Sequence, residues 1–235
     1  DWFDRAGMVA EAQTHMLAAG RETDAIALIE RHAQLAIAED QWLELAGWLE
    51  RFAPSVVRSR PELLLAHAWV CQSRGQYSEM VSATGRARVL VAEQAADHEH
   101  GWREALVADI DVLVHMIRRS DLDPAGFVTI GEAALLHAPD RFASSFGLYH
   151  LGFGLMYQGD YPGTLARMEQ IIAVERGRDD PFARQRELWS RLFLGFIQFN
   201  RGETALASAT DEIVGSLAIA YGSPRFAAMA RYLQG

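Results

Sequence analysis

Apolar residues return along this chain at intervals of three and four, in blocks separated by glycine or proline. That period places them on one face of an α-helix; a half-buried strand needs strict alternation, which no segment sustains. Val9, Ala12, Met16 and Leu17 predict a helix over 8–19 that closes at Gly20, following a helix end at 1–5 stopped near Gly7. The next helix starts at Thr23 or Asp24, with Ala25, Ile26, Leu28, Ile29, Ala33 and Leu35 as its buried stripe, so the chain opens with a hairpin turning at Gly20. Trp42, Leu45, Trp48 and Leu49 mark a short, very apolar helix over 41–52 ended by Pro54, and 55–60 is a connector or a single helical turn. Pro61 suits the first position of a helix that runs through Leu64, Ala68, Trp69 and Cys71 to Gly75, and its partner continues from Gln76 to about Ala92. Trp102 to Ile117 forms another, with Arg118 and Arg119 where cations favour a helix C-terminus. After a loop at 120–124, a return helix spans 127–136 and Pro139 breaks it. Asp180-Pro181 is an N-cap followed by proline at the first helical position, opening a helix that reaches Gly202; 204–220 is its partner, and Ser223-Pro224 opens a last helix. All seven prolines fall at boundaries, so the fold class is all-α.

The stretch 146–161, FGLYHLGFGLMYQGDY, fixes how these helices pair. Leu148, Leu151, Gly152 and Leu155, then Gly159, Tyr161, Thr164 and Met168, stand at the spacing W-x2-L-G-x2-Y and A-x3-F and so resemble a tetratricopeptide repeat. Such a unit uses one glycine where a second helix presses close and one where the chain turns back, here Gly152 and Gly159. Leu replaces Trp and Tyr, Thr replaces Ala, and Met replaces Phe. Gly75 and Gly159 are 84 residues apart, twice 42, and Gly159 and Gly202 are 43 apart, longer than the usual period of roughly 34. The architecture expected is a right-handed superhelix of tetratricopeptide-like antiparallel helix pairs with repeats of about 42 residues. The whole chain, 1–235, is expected to be one helical-repeat domain, with an opening hairpin and Trp-rich helix over 1–54 and repeats over 55–235.

Composition narrows the chemistry. Half of the 235 residues are hydrophobic, enough for a continuous core. A net charge of −9 argues against direct nucleic-acid contact, which needs a basic face. All 22 basic residues are Arg, so a P-loop lysine and a Schiff-base lysine are excluded. The single Cys71 leaves no intramolecular disulfide and no Cys-based zinc cluster, which fits a reducing cytoplasm. No apolar run reaches the length of a membrane span, and no signal-peptide pattern opens the chain, so no membrane partner is expected. The chain starts Asp1-Trp2-Phe3 without Met and reads as a portion of a longer protein.

Residues 41–80 carry a more specific resemblance. Trp48-Leu49, Phe52, Pro54, Arg60-Pro61, Ala68-Trp69 and Gly75 match the pattern that opens the helical sensor domain of LuxR-type ATP-dependent transcriptional regulators. Residues 2–20 are similar to that family's segment leading from its ATPase module, and downstream the resemblance is architectural. It implies a regulatory domain that receives an effector or a regulatory protein and couples binding to ATP-dependent oligomerisation. In that family an ATPase precedes the domain and a helix-turn-helix domain comes after it.

Aligning the repeats on their turn glycines superposes Trp69, Phe153 and Phe196, then Phe146 and Trp189, then Met156 and Phe199. With Tyr149, Tyr157, Leu192 and Phe193 these form an aromatic stripe that would line a concave groove able to take a small molecule or a partner helix. The alternative is that longer helices turn the rings into packing between repeats. Gln72, His150, Arg191, Gln198 and Asn200 lie beside the stripe as candidate orienting groups, although Arg191 can instead pair with Glu187 one turn back. Asp97-His98-Glu99-His100 holds metal-ligand residue types, yet on a helix the two histidines diverge, and a solvated helix start is the simpler reading. Ser144-Ser145 lacks a G-x-S-x-G setting and no acid–base pair stands out. The expectation is therefore a non-enzymatic, cofactor-free effector-binding domain whose partner is a small-molecule effector or a regulatory protein. The competing reading is an interaction or homo-oligomerisation scaffold without such a ligand.

Overall fold

The computed structural model describes residues 2–94, 96, 98, 101–117 and 123–234. Its elements are α1 Trp2–Arg5, α2 Val9–Ala18, α3 Glu22–Ala38, α4 Trp42–Glu50, α5 Pro54–Ser59, α6 Pro61–Ser73, α7 Tyr77–Gln94 and α8 Trp102–Ile117. They continue with α9 Pro124–His137, α10 Phe142–Tyr157, α11 Tyr161–Glu175, α12 Pro181–Asn200, α13 Thr204–Ala220 and α14 Pro224–Gln234. There is no strand among the described residues, and no helix among them is long and apolar enough to cross a membrane. Arg118, Arg119 and the expected loop at 120–122 lie outside the described residues. The chain divides into two compact units, Asp1–Ile117 and Arg118–Gly235.

Several helices end on the same turn. At Gly159 the backbone is left-handed, with φ of 79°, and its N–H reaches the Met156 carbonyl at 2.9 Å while Asp160 N–H reaches that of Leu155 at 3.3 Å. These two bonds satisfy carbonyls that the ending helix leaves without intrahelical donors. The same pair of bonds recurs around Gly75 and Gly202, the other turns read from sequence. The turn between α3 and α4 uses Asp40 instead, at φ of 59°, with Gln41 N–H donating to Ala36 at 2.8 Å. Pro54 departs from expectation: α4 ends at Glu50, and Pro54 is the first residue of α5 rather than the breaker of α4.

In the first unit α6 is the central helix. Leu63, Leu65, Ala66, Ala68 and Trp69 are fully buried on several of its faces, as a helix apolar all round must be. α3, α4, α5, α7 and α8 all pack on it. Two tryptophan–carboxylate bonds link α6 to α8: Trp69 Nε1 donates to Asp109 at 2.7 Å, and Trp102 Nε1 to Glu62 at 2.6 Å. Leu35, expected on the buried stripe of α3, is 37% exposed.

In the second unit α9 and α10 approach at backbone distance because glycine occupies the crossing. A Cβ on Gly131 would stand 2.6 Å from Leu151 Cβ and 2.7 Å from the Gly147 carbonyl oxygen. At Gly152, where the sequence predicts a close helix, an added Cβ would stand 2.6 Å from the Phe193 ring of α12.

Gly131→Ala should destabilise the second unit by about 1–3 kcal/mol, because backbone must shift to admit the methyl. Gly215→Ala, whose added Cβ meets Ala230 Cβ only at 3.8 Å, should be neutral or gain about 0.5–1 kcal/mol from reduced unfolded-state freedom. Urea midpoints of the two variants check the contrast.

A second expectation concerns Glu30 on α3. Burial, then the Glu62 charge, pushes its carboxyl up from 4.5 to about 7 against the pull of Arg60, and its Oε1 is buried without a hydrogen-bond partner among the described residues. The folded state holds this proton more tightly than the unfolded chain, so the contribution is full below about 4.5 and is lost as pH rises through about 7. Glu30→Gln should flatten the decline in melting temperature over that window and leave the variant the more stable protein above it.

Candidate functional site

The helices α10, α12 and α14 build an aromatic trough in the second unit. With no side chain on Gly152, the Phe193 ring lies against the α10 backbone, which brings the aromatic residues of both helices into one layer. Tyr149 and Phe153 meet edge to face at 4.6 Å between centroids, Phe153 and Phe193 at 5.2 Å, and Tyr149 and Trp189 at 5.7 Å. Phe226 of α14 supports Trp189 edge-on at 5.2 Å and is itself fully buried. Above this layer is a cavity of about 420 Å³ walled by Tyr149, Phe153, Trp189, Leu192, Phe193, Phe196, Ala228 and Met229.

Six of the eleven stripe residues read from the sequence therefore come together: Tyr149, Phe153, Trp189, Leu192, Phe193 and Phe196. Phe146 supports the layer from behind, 5.5 Å from Trp189 and 5.4 Å from Tyr149. Tyr157 stacks on Phe153 at 5.8 Å but is 56% exposed, beyond the cavity. His150 is buried, with its Nδ1 3.3 Å from the Phe146 carbonyl oxygen and its ring against Phe127. Asn200 is exposed and donates to the Phe196 carbonyl at 2.7 Å.

Trp69 and Gln72 stand apart from this set. Trp69 is fully buried in the first unit, where α8 covers it and Asp109 takes its indole N–H, so its alignment with Phe153 and Phe196 does not carry over to exposure. Gln72, near the end of α6, is half-buried and likewise outside the trough.

The orienting polar groups expected beside the stripe are engaged elsewhere. Gln198 accepts from Thr210 at 2.8 Å, and Arg191 is held by Glu187 at 2.7 Å, the intrahelical pair foreseen as its alternative. Glu187 also accepts from the Tyr221 hydroxyl at 3.1 Å, and burial, then the Glu187 charge, pushes that phenol above its ordinary range. The walls are therefore almost wholly apolar, suited to shape and ring stacking more than to polar readout. Sequence reasoning missed Ala228 and Met229; α14 was legible as a helix, but its packing partner was not.

A buried charge cluster sits at the other end of α12. Arg186 is 5% exposed and donates through Nε to Glu175 at 2.8 Å, through Nη1 to the Pro139 carbonyl at 2.7 Å and to Ser144 Oγ at 3.0 Å. Asp180 caps α12 by accepting from Phe182 and Ala183 N–H at 3.3 and 3.0 Å, as its sequence position predicts. The cluster thus joins the link after α9 and the start of α10 to the end of α11 and the first turns of α12. Ser144, whose hydroxyl donates to the Arg141 carbonyl at 2.8 Å, is a structural member of it.

Of the metal-type run, His98 stacks on Trp102 with ring centroids 3.8 Å apart, while Asp97, Glu99 and His100 lie outside the described residues. Among the described residues, no group of three or more His, Cys, Asp or Glu is arranged to hold an ion.

The described residues are helical throughout their regular structure, and sequence comparison finds relatives among multidomain proteins, one of them a transcriptional regulator. Over 206 residues, 88% of the chain, it is 26% identical to the HTH-type transcriptional regulator MalT of Cronobacter sakazakii. Over 158 residues, 60% of the chain, it is 29% identical to the serine/threonine-protein kinase PknK of Mycobacterium tuberculosis. The chain spans 22% and 14% of these two proteins, so it corresponds to one part of each. No family model and no solved structure matches it.

Removing one partner of the buried pair should be costly: Arg186→Met leaves the buried Glu175 carboxylate with only the half-exposed Arg178, at 3.3 Å, and a loss of up to about 3–5 kcal/mol is expected. Adding Glu175→Leu should recover part of that loss, because the desolvated charge disappears. Chemical denaturation of wild type, both single variants and the double variant closes the cycle.

Proposed function

We propose that this chain is the effector-binding sensor domain of a LuxR-type transcriptional regulator and that the effector occupies the trough between α10, α12 and α14. The observation that carries the reading is a cavity of about 420 Å³ walled by five aromatic rings and three aliphatic side chains. This volume lies in the range of small-molecule sites, and such walls favour a ligand with a flat or branched apolar body. The alignment over 88% of the chain with the regulator MalT supports the regulatory class. We further read the second unit's helix pairs as turns of a right-handed tetratricopeptide-like superhelix, with its groove at the trough. In the parent protein, effector binding would shift a resting state toward an ATP-dependent oligomer, by binding one state more tightly than the other.

A scaffold role is the second reading. It is favoured by Tyr157, which is 56% exposed and extends the ring layer past the cavity, where a partner helix or a second copy could cover it.

A thermal-shift screen with neutral aromatic and aliphatic metabolites should raise the melting temperature for at least one compound. At a hundredfold excess over Kd the gain is about 2.7 kcal/mol, a shift of several degrees. Phe153→Ala and Phe196→Ala should each abolish it. A flat screen, together with a concentration-dependent dimer in light scattering that Phe153→Ala dissociates, would replace the sensor reading with the scaffold.

A further inference from the structure

The first unit holds a second cavity of different chemistry, about 710 Å³ in volume and lined by α4, α5, α6 and α7. Its floor is apolar, formed by Leu49, Phe52, Val57, Leu64, Val70 and Ala83. Arg58, Arg74 and Arg86 also line it, one from α5, one from the turn after α6 and one from α7. None of the three makes a side-chain hydrogen bond or ion pair among the described residues, in contrast to their neighbours: Arg88 pairs with Asp111 at 2.5 Å, and Arg51 donates to Gln13 at 3.1 Å. Two carboxylates, Glu50 and Glu79, line the same cavity, so three cations share it with two anions. His67 adds no charge at neutral pH, since burial, then Arg74, lowers its pKa below the ordinary value.

Guanidinium groups stay protonated at any physiological pH, and these three are exposed on the cavity wall, so the cations are available to a ligand whatever the pH. A ligand with an acidic group would meet them through charge-assisted, bidentate hydrogen bonds, while its carbon skeleton covers the apolar floor. We infer that this cavity is a binding site for an organic anion of metabolite size, a carboxylate, sulfonate or phosphate on an apolar body, held by Arg58, Arg74 and Arg86. The site is independent of the aromatic trough, which has no cation on its walls. The strongly acidic whole-chain balance does not oppose it, because screening confines surface fields to about 8–10 Å.

The test uses two dyes that differ only in charge, 8-anilinonaphthalene-1-sulfonate and the uncharged N-phenyl-1-naphthylamine. They are titrated into the whole chain carrying Phe153→Ala and Phe196→Ala, which silence the trough. The sulfonate should bind at least tenfold more tightly than the neutral dye. Arg58→Gln/Arg74→Gln/Arg86→Gln should remove that preference and leave neutral-dye binding unchanged, and raising salt from 50 to 500 mM should weaken the sulfonate alone. Ser82→Trp, placed on the cavity wall, should exclude both dyes while circular dichroism and melting temperature stay near wild type. Equal affinity for the two dyes, no sulfonate binding, or a triple variant that keeps wild-type sulfonate affinity would each overturn the site. None of these results bears on the effector screen, which reads the unsubstituted trough.

Discussion

A helix must end in a way that gives its last carbonyls new donors, and at many of the described helix ends the left-handed turn is the device that does so. The residue after the cap swings to positive φ, two N–H groups fold back onto the final turn, and the chain reverses beside the helix it has left. Repeated at Gly75, Gly159 and Gly202, this reversal makes the hairpins that both units are built from. Asp40 shows that the backbone requirement comes before the residue type: its short polar side chain tolerates the left-handed region that most residues avoid. Packing beyond each turn depends on side chains, and here the two units diverge. Around α6 the neighbours cover Trp69 completely, whereas α10, α12 and α14 leave a layer of rings partly open.

An open aromatic layer exposes apolar surface, so its walls must be fixed from elsewhere. Arg186 is placed to do this for α10 and α12. Its guanidinium satisfies a carboxylate, a backbone carbonyl and a hydroxyl at once, which offsets the cost of desolvating it. Glycine at the α9–α10 crossing and at Gly152 removes the slack that larger residues would create. The trough is thus bounded by a polar clamp at the first turns of α12 and close packing along α10.

The helices were legible because two signals coincide: apolar residues at helical period, and proline or glycine at the boundaries. Six of the seven prolines stand in the first turn of a helix. Asp40 and Pro54 were harder, since Asp marks helix starts as well as turns and proline both stops and starts helices. The site was half legible. Alignment on turn glycines found the rings of α10 and α12, because consecutive repeats carry equivalent residues. The same alignment misled at Trp69, where a helix outside the repeat pattern, α8, covers the ring. Arg186 lies in the run Phe182-Ala183-Arg184-Gln185-Arg186-Glu187, which reads as solvated from composition and is buried by contacts with distant segments.

The two cavities show why an average over the chain is a poor guide to its ligands. A net charge of −9 argues against an extended basic face, and that argument concerns a polyanion, which must meet many cations along one surface. A small anion needs only two or three, and Arg58, Arg74 and Arg86 reach one cavity from separate elements whose sequence spacing gives no sign of it. The aromatic trough was found by the opposite route, through residues that recur with the repeat. Periodic features can be aligned and read in a sequence, whereas features assembled across turns become visible only once the helices are packed, and these two cavities are one example of each.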